Sequence, residues 1–307
     1  MLSRRVRADL ALVLCTLIWG ATFVVVKDAL PDISVLAFLA VRFALAAIMM
    51  AVMFRRSIMR LDKRGVWAGA QIGLFMFGGF VFQTAGLRWT TPSKAAFITG
   101  SSVVLVPLLL AAFGWRRITP WTWAAVAIAF GGLYFLTVPR EGFLGINRGD
   151  PIVFGCAILF AMQIILISRY VERFSVGGLS FLQVAATAAL SILALPIAAG
   201  MGWEPVRIVW NGYVIFAIAA TAVAATAIAT PLQNWGQKHT SASHAAILFT
   251  LEPVFAVLTS LLLGRERLGM RTLAGGALVL VGILLAELKS PAPVAPGAVE
   301  PIAPSAE

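Results

Sequence analysis

Charge is scarce in this chain: Asp, Glu, Lys and Arg make up 12% of its 307 residues. A water-soluble domain carries roughly 25%, so a globule facing water on all sides is excluded. Histidine and cysteine occur only twice each, which excludes a disulfide framework or a His/Cys-rich metal cluster as the organising feature. His239 and His244 stand five apart, poorly aligned on a helix, and no H-E-x-x-H motif occurs. No G-x-x-x-x-G-K loop is present either, so the chain does not use ATP through a P-loop of its own.

What is present is apolar. Hydrophobic residues make up 60% of the chain and the mean hydropathy is +0.93, values that belong to a bilayer. The apolar residues fall in runs near twenty, long enough as helices to cross roughly 30 Å of hydrocarbon. Ten such runs stand at 10–27, 35–54, 65–87, 93–114, 120–138, 149–170, 177–200, 210–235, 241–264 and 270–288. Cys15 and Cys156 fall inside them and read as small buried hydrophobes. The opening "MLSRRVRADLALVLCTLIWG" imitates a signal peptide, but its apolar run is long, lacks a clear A-x-A site and leads into further spans, so it is expected to stay as the first span. The proline-rich end "KSPAPVAPGAVEPIAPSAE" reads as a disordered tail.

A net charge of +11 raises the question of nucleic acid. The Arg and Lys residues lie in short connectors, however, where membrane orientation explains them and a nucleic-acid role is not expected. The dense loop from Arg55 to Arg64 places the N-terminus inside and predicts that both termini are cytoplasmic; Arg265, Arg267 and Arg271 oppose the bias. Trp67, Trp89, Trp115, Trp121, Trp123, Trp203, Trp210 and Trp235 fall near span ends, at headgroup level. Trp19 sits mid-span, either as a packing residue or as a cavity wall.

The chain repeats itself. Residues 86–133 laid over 236–283 without a gap, at an offset of 150, give identities that include Gly86/Gly236, Thr90/Thr240, Ser93/Ser243, Ala95/Ala245, Gly114/Gly264, Arg117/Arg267 and Gly132/Gly282. Two five-span halves follow. Each crosses the membrane an odd number of times, so the second enters from the opposite face, an arrangement that permits alternating access to a central site. The expected organisation is therefore an all-α integral membrane protein of ten transmembrane helices as two inverted repeats. It has a cytoplasmic N-terminus at 1–9, a first repeat at 10–138, a connector at 139–148, a second repeat at 149–288 and a tail at 289–307.

The stretches "WGATFVVVK" at 19–27, "AAFITGSSVVLVPLL" at 95–109 and "AAILFTLEPVFAVLTSLLLGRERL" at 245–268 resemble the drug/metabolite transporter superfamily in its EamA-like branch, over nearly the whole chain to Leu288. The resemblance implies a secondary transporter of the inner membrane, often an exporter, of small metabolites such as amino acids; the group that exports aromatic amino acids is one candidate. It also implies a cavity built from the first, third, fourth, sixth, eighth and ninth helices, which brings Trp19, Thr22, Gln83, Ser102 and Gln163 forward. After Gly264 the chain reads "RER" where relatives commonly place an acid directly, so Glu266 receives no role.

Glu252, followed by Pro253, stands in the middle of the ninth run. An acid at mid-bilayer costs about 2.5–3.5 kcal/mol on insertion scales, so it should face protein or water. It is either a buried structural anchor or a group that couples substrate or protons. Arg42, well inside the second run, is its natural partner; snorkelling to the headgroups is the other possibility. Pro253 should free a carbonyl near Phe249, and Pro107 and Pro231 should make similar breaks. Lys27 reads as an interfacial anchor, and Gly78, Gly79, Gly131, Gly132, Gly275 and Gly276 as sites of close helix packing. No cofactor is expected. The alternatives within transport are an exporter of amphipathic cations or drugs and a passive facilitator. An intramembrane enzyme is poorly served, because the serines of "TGSSV" at 99–103 have only His244, at a span's edge, to activate them.

Overall fold

The computed structural model describes residues 3–115, 118–137, 147–263 and 269–289. Each expected run is helical there. The first half comprises α1 (Arg4–Ala29), α2 (Val35–Met53) with the short α3 (Arg55–Ile58), α4 (Lys63–Leu87), a broken span α5 (Pro92–Gly100) and α6 (Ser102–Ala112), and α7 (Pro120–Thr137). The second comprises α8 (Gly149–Tyr170), α9 (Val176–Gly200), and α10 (Gly212–Ala222), which passes through a π turn (Val223–Ile228) into α11 (Ala229–Gln237). It ends with a broken span α12 (Ala242–Leu248) and α13 (Leu251–Leu262), then α14 (Met270–Lys289). Among the described residues, eight spans are long and apolar enough to cross a membrane, and the tenth carries a shorter apolar stretch, Leu273–Ala286. Arg117, Arg267, Gly264, Glu266, most of the 139–148 connector and the tail beyond Lys289 lie outside the described residues.

Lipid offers no hydrogen bonds, so each helix end must satisfy its own amides. Short polar side chains do this at the starts: Asp62 accepts from Gly65 N at 2.8 Å, Ser175 from Gly178 N at 3.2 Å and Asn211 from Val214 N at 2.8 Å. Thr91 and Ser241, one repeat apart, cap α5 and α12 in the same way. Both fourth-type spans then break at matching places. Ser101 Oγ donates to Ile98 O and Thr250 Oγ1 to Ile247 O, each at 2.6 Å. The carbonyl that Pro253 was expected to free, on Phe249, is taken by the amide of Glu252 at 3.0 Å, so the break closes on itself and leaves that carbonyl to the backbone. Pro107 interrupts nothing, since α6 runs through it. Irregularity in the eighth span falls at the π turn just before Pro231, where the wider turn makes room for the ring against the carbonyl a turn earlier.

Contacts between the halves come in exchanged pairs. α1 lies against α12 and α13, as α8 lies against α5 and α6; α4 packs on α8, as α11 packs on α1; α2 meets α9 and α7 meets α14. Swapping the halves carries each contact onto its partner. With five crossings apiece, the halves run in opposite directions. The repeated glycines show why they recur. A Cβ on Gly86 would lie 2.8 Å from Gly149 O at the start of α8, and one on Gly236 would lie 3.2 Å from Ala8 O near the start of α1. Gly132 and Gly282 meet the backbones of α14 and α7 in the same reciprocal fashion. Gly131, expected to pack closely, meets nothing within 4 Å.

Polar side-chain pairs follow the same symmetry. Lys94 at the start of α5 pairs with Asp150 at the start of α8, at 2.5 Å; its repeat partner His244 has Nε2 3.2 Å from Oδ1 of Asp9, near the start of α1. These pairs tie opposite faces of the bundle, here termed the Lys27 face and the Asp9 face. On the Lys27 face, Lys27 Nζ donates to the carbonyls of Leu87, Arg88 and Thr90 at 2.6, 3.0 and 3.1 Å, which makes it a cap for the end of α4. Glu204 pairs with Arg88 and accepts from Val35 N and Leu36 N, closing the start of α2. Both cysteines are buried and unbridged.

Candidate functional site

One cavity lies at the junction of the halves, with about 80 Å³ open to the centres of water molecules, room for several waters. Trp19, Thr22, Phe23 and Val26 of α1 line it, with Met76, Phe80, Gln83, Thr84 and Leu87 of α4, and Thr99, Gly100 and Ser102 at the break between α5 and α6. Phe160, Gln163 and Ile164 of α8, Ala225, Thr230 and Gln233 of the eighth span, and Phe249 and Glu252 at the break before α13 complete that wall. α2 adds Arg42. All seven site residues expected from the sequence therefore meet in one place, and the second span joins the six expected helices.

The lining is itself paired by the repeat. At the offset of 150, Phe80 falls on Thr230, Gln83 on Gln233, Thr99 on Phe249 and Ser102 on Glu252, and all eight line the cavity. At 141, the separation of Asp9 from Asp150, Trp19 falls on Phe160, Thr22 on Gln163 and Phe23 on Ile164, and these line it too. The cavity thus straddles the axis relating the halves. Extending the repeat to side chains could have nominated Thr99, Thr230, Gln233, Phe160 and Phe249, which reading residues one at a time missed.

Charge departs from this symmetry. Arg42 and Glu252 are the two ionisable residues of the lining, and their repeat counterparts, Gln183 and Ser102, are neutral. Contrary to expectation, Arg42 and Glu252 form no ion pair. Arg42 is 3% exposed and does not snorkel. Its guanidinium lies 4.9 and 4.7 Å from the ring centroids of Phe43 and Phe80, and its Nε donates to Thr226 Oγ1 at 3.1 Å. Weak hydration of the planar guanidinium suits an aromatic slot that would penalise an ammonium. Glu252 occupies the first turn of α13, where the peptide dipoles favour a negative charge.

The neutral residues are held by their neighbours. Trp19 Nε1 donates to Ala225 O at 3.0 Å while its ring packs 5.6 Å from that of Phe249, so the side chain is both packed and part of the wall. Thr22 Oγ1 is turned back to Trp19 O at 2.7 Å. Gln83 Nε2 reaches Thr99 Oγ1 at 3.3 Å. Gln163 belongs to a buried chain running through Gln183 and Asn234 to Ser180. Five aromatic rings, of Trp19, Phe23, Phe80, Phe160 and Phe249, make the walls otherwise apolar. Such a chamber suits a small molecule that carries opposite charges on an apolar body.

The model of the EamA-like transporter family matches this chain twice, over residues 6–138 and 147–288. The chain belongs to that family. An Archaeoglobus fulgidus protein, named only as an uncharacterized transporter, is 36% identical over 291 residues, covering 93% of this chain and 87% of its own. The Bacillus subtilis protein YyaM, also named an uncharacterized transporter, is 25% identical over 279 residues, 87% of this chain and 89% of that one. A solved crystal structure superposes with a TM-score of 0.74 at 21% identity, covering 92% of this chain and 96% of the other, a likeness of fold alone. As an EamA-like protein the chain is a multi-pass membrane transporter, and the two matches by the family model fall on the two halves described above.

Proposed function

We propose that this EamA-like transporter exports zwitterionic amino acids with apolar or aromatic side chains, by alternating access about the central cavity. The observation that carries the reading is the presence of Arg42 and Glu252 in one aromatic-walled cavity without an ion pair between them. Two opposite charges held apart in a low-dielectric chamber are each poorly compensated, and a ligand bearing carboxylate and ammonium compensates both. The five rings then take the side chain, which is the support for the narrower aromatic amino acid reading.

Coupling follows from Glu252. A carboxylate that receives either the substrate ammonium or a proton, but not both, links their movements in opposite directions. We assign the Asp9 face to the cytoplasm, on the strength of the basic loop Arg55–Arg64, with both termini inside and the protein in the inner membrane. An amphipathic cation satisfies Glu252 but meets Arg42 as a like charge in the same cavity, which disfavours the drug-exporter alternative.

Proteoliposome counterflow tests this, using L-phenylalanine, its amide (a cation), its N-acetyl derivative (an anion) and a quaternary amine. Trans-acceleration is expected for the zwitterion above the other three. Preference for the quaternary amine would move the substrate class to cations. Flux without trans-acceleration would point to a passive facilitator.

A further inference from the structure

The eighth span leaves α geometry at the π turn Val223–Ile228, and that turn grips two cavity residues from the first half. Ala225 O accepts Trp19 Nε1 at 3.0 Å, and Thr226 Oγ1 accepts Arg42 Nε at 3.1 Å. π turns concentrate at functional sites because one extra residue re-aims the groups that follow it. The hydroxyls show the re-aiming directly. In regular helix, Thr187, Ser191 and Thr221 bond the carbonyls of Gln183, Thr187 and Ala217, four residues back. Thr226 instead donates to Thr221 O, five residues back, at 2.9 Å. With its proton committed there, its lone pairs face Arg42.

Arg42 is then constrained on three sides, by Phe43 and Phe80 against the guanidinium and by Thr226 at Nε. Among the described residues no hydrogen bond ties its Nη groups, and Arg42 lines the cavity. Fixing Nε fixes the plane of the fork, and a fixed fork is what bidentate capture of a carboxylate requires. We infer that Thr226 is a positioning residue that aims the Nη edge of Arg42 at the substrate carboxylate, and that the π turn exists in this span to deliver it. This rests on the reading that Arg42 receives a carboxylate.

The test compares Thr226→Val, which keeps shape but loses the acceptor, with Thr226→Ser, which keeps it. Each is reconstituted and assayed with L-phenylalanine and with its amide. Thr226→Val should raise KM for the amino acid on the order of tenfold, the scale of a hydrogen bond to a charged group, with maximal rate and the KM of the amide little changed. Thr226→Ser should stay within about twofold of the parent, since it restores the acceptor. A purely structural role would move both substrates together and would overturn the inference. Arg42→Gln separates the two layers. If it erases the preference for the amino acid over its amide while Thr226→Val does not weaken that preference, the positioning role is wrong and the carboxylate reading stands. If Arg42→Gln leaves the preference intact, or no amino acid is transported, both fall. Should Thr226→Val fail to insert, Thr226→Cys, similar in size and a poor acceptor, takes its place: a rise in KM confined to the amino acid supports the inference, and equal change for both substrates overturns it.

Discussion

Replacing Asp150 by Asn should loosen the Lys27 face of the transporter while leaving the Asp9 face shut. The Asp150 carboxylate receives Lys94 Nζ at 2.5 Å, Thr90 Oγ1 at 3.0 Å and Asn147 N at 3.1 Å. Asparagine keeps the shape and one acceptor oxygen, so the chief loss is the charge facing the ammonium. An exposed pair contributes about 0.2–1 kcal/mol and breaking a fully buried one costs about 3–5 kcal/mol. Side-chain exposures of 21% for Lys94 and 10% for Asp150 place this pair between the limits, at about 1–2 kcal/mol. If the pair is a latch that the open state lacks, the open fraction rises roughly 5- to 30-fold. The assay is the rate of labelling by a membrane-impermeant maleimide, in a background where Cys15 and Cys156 are replaced. One reporter is Thr84→Cys, in the last turn of α4 by the Lys27 face; the other is Ile164→Cys, in the half of α8 toward the Asp9 face, and both positions line the cavity. Asp150→Asn should speed labelling at the first reporter alone, and His244→Gln, which alters the repeat-related pair, should speed it at the second alone. Equal change at both reporters, or at neither, would show that these pairs merely fasten helices.

Glu252→Gln should abolish the dependence of transport on a proton gradient while the protein still inserts; an unchanged response to pH at a normal rate would remove Glu252 from coupling. Cysteines introduced singly at Phe113 and Leu263, repeat-related ends of α6 and α13, should label from opposite sides of the membrane, and labelling from one side would undo the inverted arrangement. Gly86→Ala and Gly236→Ala should each destabilise the bundle by about 1–3 kcal/mol, as overpacking does, because both glycines meet atoms of the facing helix; melting in detergent reads this, and an unshifted midpoint would show that the helices part freely. Cys15 and Cys156, both buried, should resist maleimide in native membranes and react only after denaturation.

The membrane makes the fold legible. Backbone groups in hydrocarbon must be satisfied within the span, so the chain has to write each crossing as a long apolar helix, and residues 149–170 read the same in sequence and in structure. Repetition then exposed the twofold design, because Gly86 and Gly236 answer one packing demand in two places. Glu252 was visible because an acid has no neutral reason to stand among Leu251, Val254 and Phe255. The breaks were read less well. Proline marks a missing amide, but Phe249 O found the amide of Glu252, and the eighth span yielded in the turn ahead of Pro231, at Val223–Ile228, and not at the proline itself.

From the sequence alone came the ten spans and the inverted halves, since each rests on apolar length or on a repeat that runs along the chain; Glu252 and Arg42 stood out as charges inside apolar runs, and the neutral residues at the junction came forward through the resemblance to the EamA-like branch. Only the tertiary structure decided what Arg42 touches. Two opposite charges in one membrane invite pairing on paper, yet Phe43, Phe80 and Thr226 hold the guanidinium away from Glu252. Thr226 lies 184 residues from Arg42 along the chain. A partner at that remove is chosen by how helices pack and how one turn is wound, and neither leaves a local signature in residue order.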